Sequence, residues 1–263
     1  MRFARKLLAT ILLLAAPLLP GAFAWAAPSQ VEMVKMLTTI DDRQMNSGDY
    51  KQLIYLEQKE KGRSDLVYQI VVYRRDVTDK LVILFLKPQA EAGKGYLRVD
   101  SNLFLYDPTV GKWERRTERE RIGGTGSNRQ DFDQSRLHEE YEPTYAGEEM
   151  LGKIAVSHLT LKQIPELDVA YPVVEMWIDK ATGNPLKRQD LALSGKVLRT
   201  TYYPEWQKLF SPSKKADVYF PKQILIKDEI ELGKSTTVVI QNVDLNPLAD
   251  SIFTKAWLES KSR

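Results

Sequence analysis

Cysteine is absent from the 263-residue sequence, and histidine occurs only twice, at His138 and His158. Without a thiol, the chain forms no disulfide, no Cys-ligated zinc or iron–sulfur site, no cysteine nucleophile and no lipid anchor on Cys. Neither histidine has a second histidine at metal-ligand spacing, so a role in ligation or catalysis is not expected. The sequence therefore predicts no metal site and no cofactor.

Motifs of common enzymes are also missing. Residues 147–153 match the first part of a phosphate-binding loop, but Ile154 stands where Ser or Thr should bind magnesium. Glu148 and Glu149 would repel a triphosphate. We therefore predict a protein without catalytic residues, and a hydrolase using Glu139, Glu148 and Asp228 is the alternative that a shared acidic cleft would support.

The charge surplus is small and lies in one region. The chain has 38 Lys plus Arg and 35 Asp plus Glu, a net charge of +3. Arg2, Arg5 and Lys6 lie within residues 1–26, which contain no acidic residue, so residues 27–263 carry 35 charges of each sign. Because nucleic-acid binding needs a concentrated basic face, we expect no nucleic-acid partner.

Residues 1–26 have the organisation of a secretory signal peptide. A basic start precedes the apolar run 7–19, and small residues follow up to Ala26. The apolar run is shorter than the roughly 20 residues that span a bilayer as a helix. We therefore expect cleavage after Ala26 and a soluble periplasmic protein without a lipid anchor.

Residues 27–263 predict one α+β domain. Ser29 and Glu32 form a capping-box pattern before a helix of about 14 residues. Beyond residue 49 the apolar period is 2 and the gaps are short, which is typical of antiparallel strands joined by hairpins. A short helical tail is predicted within residues 246–258. Strands are predicted over residues 50–59, 66–75, 81–87, 94–100, 102–106, 112–115, 153–162, 171–179, 185–193, 196–203, 223–231 and 235–243.

A long insertion at residues 115–147 interrupts this pattern. It contains an Arg-rich run, the Gly-rich residues 123–126 and an acidic stretch, 131–145, that predicts weak helix. Loops of this length are usually functional or disordered. Two interpretations stay open: a solvated loop, or a loop that docks a partner or an anionic headgroup.

Two strands are apolar at consecutive positions, in residues 81–86 and 103–106. An antiparallel strand with one wet face should alternate, so both faces of these strands should be covered. Either helices and loops provide the second cover, or an apolar ligand fills a concave hollow.

Several stretches resemble the LolA-like outer membrane lipoprotein-sorting protein family. They are residues 95–108, Trp113, 121–124, 177–188, 194–200 and 250–258, in matching order along the chain. These motifs are turn and strand signatures, and none is catalytic. The resemblance implies a large curved antiparallel sheet forming an unclosed β-barrel, with helices packed on its concave side and acyl chains as cargo.

We therefore predict a non-enzymatic, monomeric carrier that binds a lipid or lipoprotein acyl chains and moves them between envelope components, towards the outer membrane. An inner-membrane transporter and an outer-membrane acceptor would be its partners. The alternative is an envelope sensor or accessory module of a transporter that carries no lipid. The predicted cavity wall, chosen by alternation and subject to a one-residue register shift, comprises Tyr68, Ile70, Val72, Val82, Leu84, Leu86, Leu97, Val99, Phe104, Met176 and Ile178.

The signal-peptide prediction has a direct test. Protein recovered from the periplasm should begin at Ala27, which N-terminal sequencing and the intact mass would show. Recovery of a chain that still begins at Met1 in the membrane fraction would contradict it.

Overall fold

The computed structural model describes residues 27–44, 48–117, 120–133 and 135–262. The predicted signal peptide lies outside these residues. In the part of the chain that is described, no helix is both long and apolar enough to cross a membrane.

Strands dominate the described chain. The helices are α1 (Gln30–Gln44), α2 (Leu137–Glu140) and α3 (Lys255–Lys261), and 3-10 turns occur at Asp76–Thr78, Ile122–Gly124, Arg129–Phe132 and Asp250–Phe253. The strands are β1 (Asp49–Lys59), β2 (Leu66–Arg75), β3 (Lys80–Lys87), β4 (Gly95–Val99), β5 (Asn102–Asp107), β6 (Lys112–Arg116), β7 (Tyr141–Leu151), β8 (Ile154–Gln163), β9 (Val173–Asp179), β10 (Pro185–Leu191), β11 (Val197–Ser211), β12 (Ala216–Asp228) and β13 (Ser235–Asp244).

All these strands form one antiparallel sheet in the order β6-β5-β4-β3-β2-β1-β13-β12-β11-β10-β9-β8-β7. The chain runs from β1 outward to β6, crosses to β7, and returns strand by strand until β13 pairs with β1. Strands β6 and β7 are the two edges of this sheet and do not pair with each other. The predicted α+β fold with an unclosed barrel is therefore confirmed.

Helix α1 begins at the predicted capping box. The backbone N–H of Ser29 donates to Glu32 Oε2 over 2.7 Å, and the Glu32 N–H donates to Ser29 Oγ over 3.3 Å. Met33, Leu37 and Ile40 follow at helical spacing and are buried. They pack on Leu159, Leu161, Val174, Met176 and Ile178 of β8 and β9.

Ten of the twelve predicted strands agree with the structure to within two residues at each end. The prediction missed β7, which replaces part of the weak helix expected over residues 131–145. Strand β7 is an edge strand whose burial pattern is dominated by exposed and half-buried positions, so its apolar alternation is weak.

Strands β11 and β12 are longer than predicted. Their register shifts near Glu205, directly after Pro204, so the ladder is interrupted where proline has no N–H to donate. Beyond this irregularity pairing resumes up to the pair of Ser211 and Ala216.

The two faces of the sheet bury separate apolar clusters. On one face, Ile70, Ile83 and Phe85 belong to a large cluster that also contains Ile54 and Ile122. On the other face, a smaller cluster lies beneath the C-terminal residues and comprises Val82, Leu84, Leu97, Phe253 and Leu258. Residues 81–85 of β3 are thus covered on both faces, whereas Leu86 is exposed.

Truncation of Leu258 tests whether α3 packs on the face of β3 that carries Val82 and Leu84. Leu258 in α3 is fully buried, so Leu258→Ala should lower the free energy of unfolding by about 2–5 kcal/mol through lost burial and a cavity. Urea denaturation would measure this. The matched control, Leu232→Ala, alters an exposed leucine and should change stability by no more than about 0.5 kcal/mol. Equal effects of the two variants would refute the packing of α3 on the sheet.

Candidate functional site

The two open edges of the sheet are connected by residues 120–133 and 135–140, which we call the crossing segment. Its Ile122 is buried in the large apolar cluster. The hydroxyl of Tyr68 donates to the carbonyl oxygen of Gly123 over 3.0 Å, and the Gly126 N–H donates to Thr236 Oγ1 over 2.9 Å. The crossing segment therefore packs against strands on both sides of β1.

Two glycines allow this close approach. Gly123 has a φ of +59°, and a Cβ there would lie 3.1 Å from the Tyr68 ring. A Cβ on Gly126 would lie 2.7 Å from Thr236 Oγ1, closer than real contacts allow. The Gly-rich residues 123–126 are thus a contact surface as well as a turn.

Two aspartates of the crossing segment bind arginines from distant strands. Asp131 Oδ1 accepts from Arg199 Nη2 of β11 over 2.6 Å, and Asp133 pairs with Arg98 of β4. These strands are six positions apart in the sheet order. Residues two apart in sequence have Cα atoms no more than about 7 Å apart, so both arginines reach nearly the same place. The sheet is therefore strongly curved, and the crossing segment lies on its concave face.

Helix α1 and α2 cover the same face and are joined by a buried aspartate. Asp41 Oδ2 accepts from the backbone N–H of His138 over 2.9 Å and lies 2.7 Å from His138 Nδ1. Asp41 also accepts from the Ser135 hydroxyl. His138 is half-buried and fixes α2 to α1.

A cavity of about 200 Å³ lies between α1, the crossing segment and strands β1, β2 and β10–β13. Its wall is partly aliphatic, with Ile54, Ile226 and Ile240, and partly charged, with Arg74 and Arg199. Two neighbouring cavities, of about 270 and 510 Å³, also have Arg199 in their walls. Arg199 therefore lines all three cavities, and its partner Asp131 lines the two smaller ones.

Burial changes the protonation behaviour of these arginines. Loss of solvation lowers the pKa of Arg98 to about 10, although the nearby Asp79 opposes this change. Burial also disfavours the charge of Arg199, but Asp131 and Asp190 outweigh it and raise the pKa of Arg199. Both side chains remain cationic at neutral pH, so the concave face has a charged region beside an apolar one.

None of the eleven predicted wall residues lines this cavity. Tyr68, Ile70 and Val72 are on the concave face in the cluster that contains Ile122, and Met176 and Ile178 are beneath α1. Helix α1 and the crossing segment together form the cover of the concave face. A ligand-binding role for these five residues stays a prediction that requires this cover to move.

The other six predicted wall residues do not face the concave side. Val82, Leu84 and Leu97 pack beneath Phe253 and Leu258 on the opposite face. Leu86 and Val99 are exposed, and the Phe104 ring lies 5.0 Å from Lys255 Nζ of α3. As ligand-binding residues these six stay a prediction, but their side chains lie away from the concave cavity. In β3 the uninterrupted apolar run does not define a register, and a one-residue shift exchanges the faces. Leu81, Ile83, Phe85, Tyr96 and Leu103 hold the concave positions instead.

The buried arginines were not predicted as site residues. A signal for one of them existed, because Arg74 continues the alternation of Ile70 and Val72 on a face that is otherwise apolar. Arg199 had no such signal, since its face and its partner depend on the crossing segment.

The acidic residues considered for hydrolysis are dispersed. Glu139 lies on α2. Glu148 lies on β7 and pairs with Lys180, and Asp228 accepts a hydrogen bond from the Ile230 N–H in a turn. Only Asp228 lines one of the three cavities. Among the described residues, no group of three or more His, Asp or Glu has a geometry that could hold a metal ion.

Three solved structures share this architecture. A domain described as an outer membrane lipoprotein-sorting protein from Vibrio parahaemolyticus superposes with a TM-score of 0.73 at 17% identity, over 86% of this chain and 97% of that one. A DUF1329 family protein from Desulfovibrio piger gives 0.76 at 16%, over 87% and 98%. A LolA superfamily protein from Nitrosomonas europaea gives 0.68 at 19%, over 85% and 97%. The fold is therefore LolA-like, as the sequence resemblance indicated.

A family model matches most of the chain. Residues 77–260 match the model of a family described as "-like: Uncharacterized protein", and the chain belongs to that family. No curated protein matches the sequence.

Removing the charge of Asp131 tests the attachment of the crossing segment. Asp131→Asn leaves the buried Arg199 without its carboxylate partner and should lower the free energy of unfolding by about 3 kcal/mol. Chemical denaturation would measure it. The control, Glu205→Gln, breaks the exposed pair with Lys222 and should cost no more than about 1 kcal/mol. A similarly small effect of Asp131→Asn would show that the pair does not hold the segment.

Proposed function

We propose that this protein is a non-enzymatic periplasmic carrier that binds a lipid or the acyl chains of a lipoprotein on the concave face of its sheet. The observation that carries this proposal is the cavity lined by Ile54, Ile226 and Ile240 beneath α1 and the crossing segment. A concave, partly apolar cavity beneath a separate cover is the usual form of a small-molecule site.

The cover is attached in a way that permits opening. The described hydrogen bonds between residues 120–133 and the sheet each use at least one side chain, as in the bonds of Tyr68, Thr236 and Arg199. Side-chain contacts can be exchanged without breaking the backbone ladder of the sheet. A binding movement of the cover therefore leaves the thirteen-stranded scaffold intact.

The size of the cavity requires such a movement. Its volume of about 200 Å³ is below the range of about 300–1,000 Å³ that is usual for ligand pockets. Burial of a twelve-carbon chain would contribute about 10 kcal/mol at roughly 0.8 kcal/mol per CH₂, which can offset displacement of the cover. When the cover lifts, Tyr68, Ile70, Val72, Met176 and Ile178 become the wall that accepts the chain.

The proposed location and partners rest on the predicted signal peptide and on the LolA-like resemblance. A cleaved signal peptide delivers a monomeric protein to the periplasm, where it accepts cargo from an inner-membrane transporter and passes it towards an acceptor at the outer membrane. The similarity to a lipoprotein-sorting domain supports this route.

An envelope sensor or transporter accessory that carries no lipid is the second candidate. It is favoured by one observation, the small volume of the cavity in the closed arrangement. It is disfavoured by the crossing segment, which packs on the concave face and does not extend from the domain as a free docking loop.

A matched pair of tryptophan variants distinguishes the carrier from the sensor. Ile224 is half-buried and lines the cavity, whereas the adjacent Leu225 is half-buried on the other face. Ile224→Trp should fill the cavity and reduce the lipid that copurifies from the periplasm severalfold, measured by extraction and mass spectrometry. Leu225→Trp should leave lipid content unchanged, and circular dichroism should show that both variants fold.

Protein that copurifies with no lipid, and takes up none from vesicles, would contradict the carrier proposal. Equal loss of lipid in both variants would show that the cavity is not the binding site.

A further inference from the structure

The charged part of the cavity wall contains guanidinium groups that the fold does not fully satisfy. Arg74 and Arg199 line the cavity and are 2% and 8% exposed. Arg74 Nε lies 3.0 Å from Asp76 and its Nη2 lies 2.6 Å from Asp79, whereas its buried Nη1 has no hydrogen-bond partner among the described residues. Arg199 binds Asp131 through Nη2, and its buried Nε likewise has no partner among them.

Unsatisfied buried donors on charged groups are unfavourable. The cost is larger when the group is ionised, and proteins leave few of them. The two arginines have the same deficiency and share one cavity. An anionic group admitted to this cavity when the cover moves would lie beside both guanidinium groups.

The two arginines approach the cavity from different sides of the curved sheet. Arg74 is on β2 and Arg199 on β11, four positions apart in the sheet order. Arg188 on β10 adds a third guanidinium to the wall. Guanidinium groups present several N–H donors in a plane and bind carboxylate and phosphate oxygens by paired hydrogen bonds.

Most of the charged groups around the cavity are paired. The arginines in the wall are Arg43, Arg74, Arg188 and Arg199, and the acidic residues are Asp76, Asp131 and Asp133. Asp79 and Asp190, which do not line the cavity, pair with Arg74 and Arg188. The site therefore attracts an anion through guanidinium N–H donors and not through a net charge, and this attraction is stronger in a partly dry site than in water.

The apolar wall begins beside the arginines. Arg188 is the cross-strand neighbour of Thr201, and Thr201 is the neighbour of Ile226, all on the same face. Ile54 and Ile240 pair directly on β1 and β13. A molecule that reaches from the arginines to these isoleucines needs an anionic end and an apolar end.

We propose that the cargo is an anionic amphiphile, whose phosphate or carboxylate headgroup binds between Arg74 and Arg199 while its acyl chain lies against Ile54, Ile226 and Ile240. This inference rests on the proposed function of the same cavity and specifies the chemistry of its cargo.

Isothermal titration with two twelve-carbon probes tests it in the full mature chain. Dodecyl phosphate, used below its micellar concentration, should bind at least tenfold more tightly than neutral monolauroylglycerol. Arg74→Lys keeps the positive charge but removes the planar guanidinium that binds an anion by paired hydrogen bonds. It should therefore reduce this preference severalfold with little change for the neutral probe. The matched control Arg75→Lys alters the adjacent residue, which points to the other face and pairs with Asp49, and should keep the preference.

The outcomes separate the two proposals. Equal affinity for both probes would overturn the anionic headgroup while leaving the carrier proposal intact. Failure of both probes to bind would overturn the carrier proposal itself. Binding of inorganic phosphate as tight as that of dodecyl phosphate would identify a free anion as the ligand and refute an amphiphile. Loss of preference in Arg75→Lys as well would refute the assignment to Arg74.

Discussion

The structure depends on an opening in its own sheet. The chain leaves β6 at one edge of the sheet and enters β7 at the other, and these strands do not pair. The connection must therefore cross the opening, and the pairs of Asp131 with the buried Arg199 and of Asp133 with the buried Arg98 fix it to strands six positions apart. These two contacts hold the crossing segment on the concave face, over the cavity.

The ion pairs of the crossing segment select one arrangement of the chain more than they stabilise it. A buried ion pair contributes little net stability because desolvation of both partners opposes their attraction, but it specifies one arrangement, since any other leaves a charge unpaired. The crossing segment shows this use of charge. Its apolar residues Ile122 and Phe132 pack on the concave cluster, and apolar packing is not directional, whereas Asp131 pairs with Arg199 and Asp133 with Arg98. Arg199, which Asp131 binds, also lines the cavity, so the interaction that orders the cover contributes to the polarity of the cavity.

Much of the fold could be predicted because its signals are local. Strand alternation, short turns and the capping box at Ser29 each depend on residues close in sequence, and ten of twelve strands were placed to within two residues. The candidate site was predicted poorly for the opposite reason. In the run 81–86 every residue is apolar, so alternation gives no preference between Val82 and Ile83, and only α3 and the crossing segment decide which of them is inside. Strand β7 was missed because its edge position removes the burial that makes a strand recognisable.

The sequence alone determined that this is an α+β chain of antiparallel strands without cysteine chemistry, with a neutral domain after its basic N-terminal segment and with a LolA-like resemblance. Composition, period and turn residues act over a few positions and need no knowledge of distant contacts. Only the tertiary structure decided which face is concave, what covers it and which charges line the cavity. Those features come from Arg74, Arg98 and Arg199, whose partners lie in turns or in the crossing segment, and curvature of the whole sheet is what brings them together.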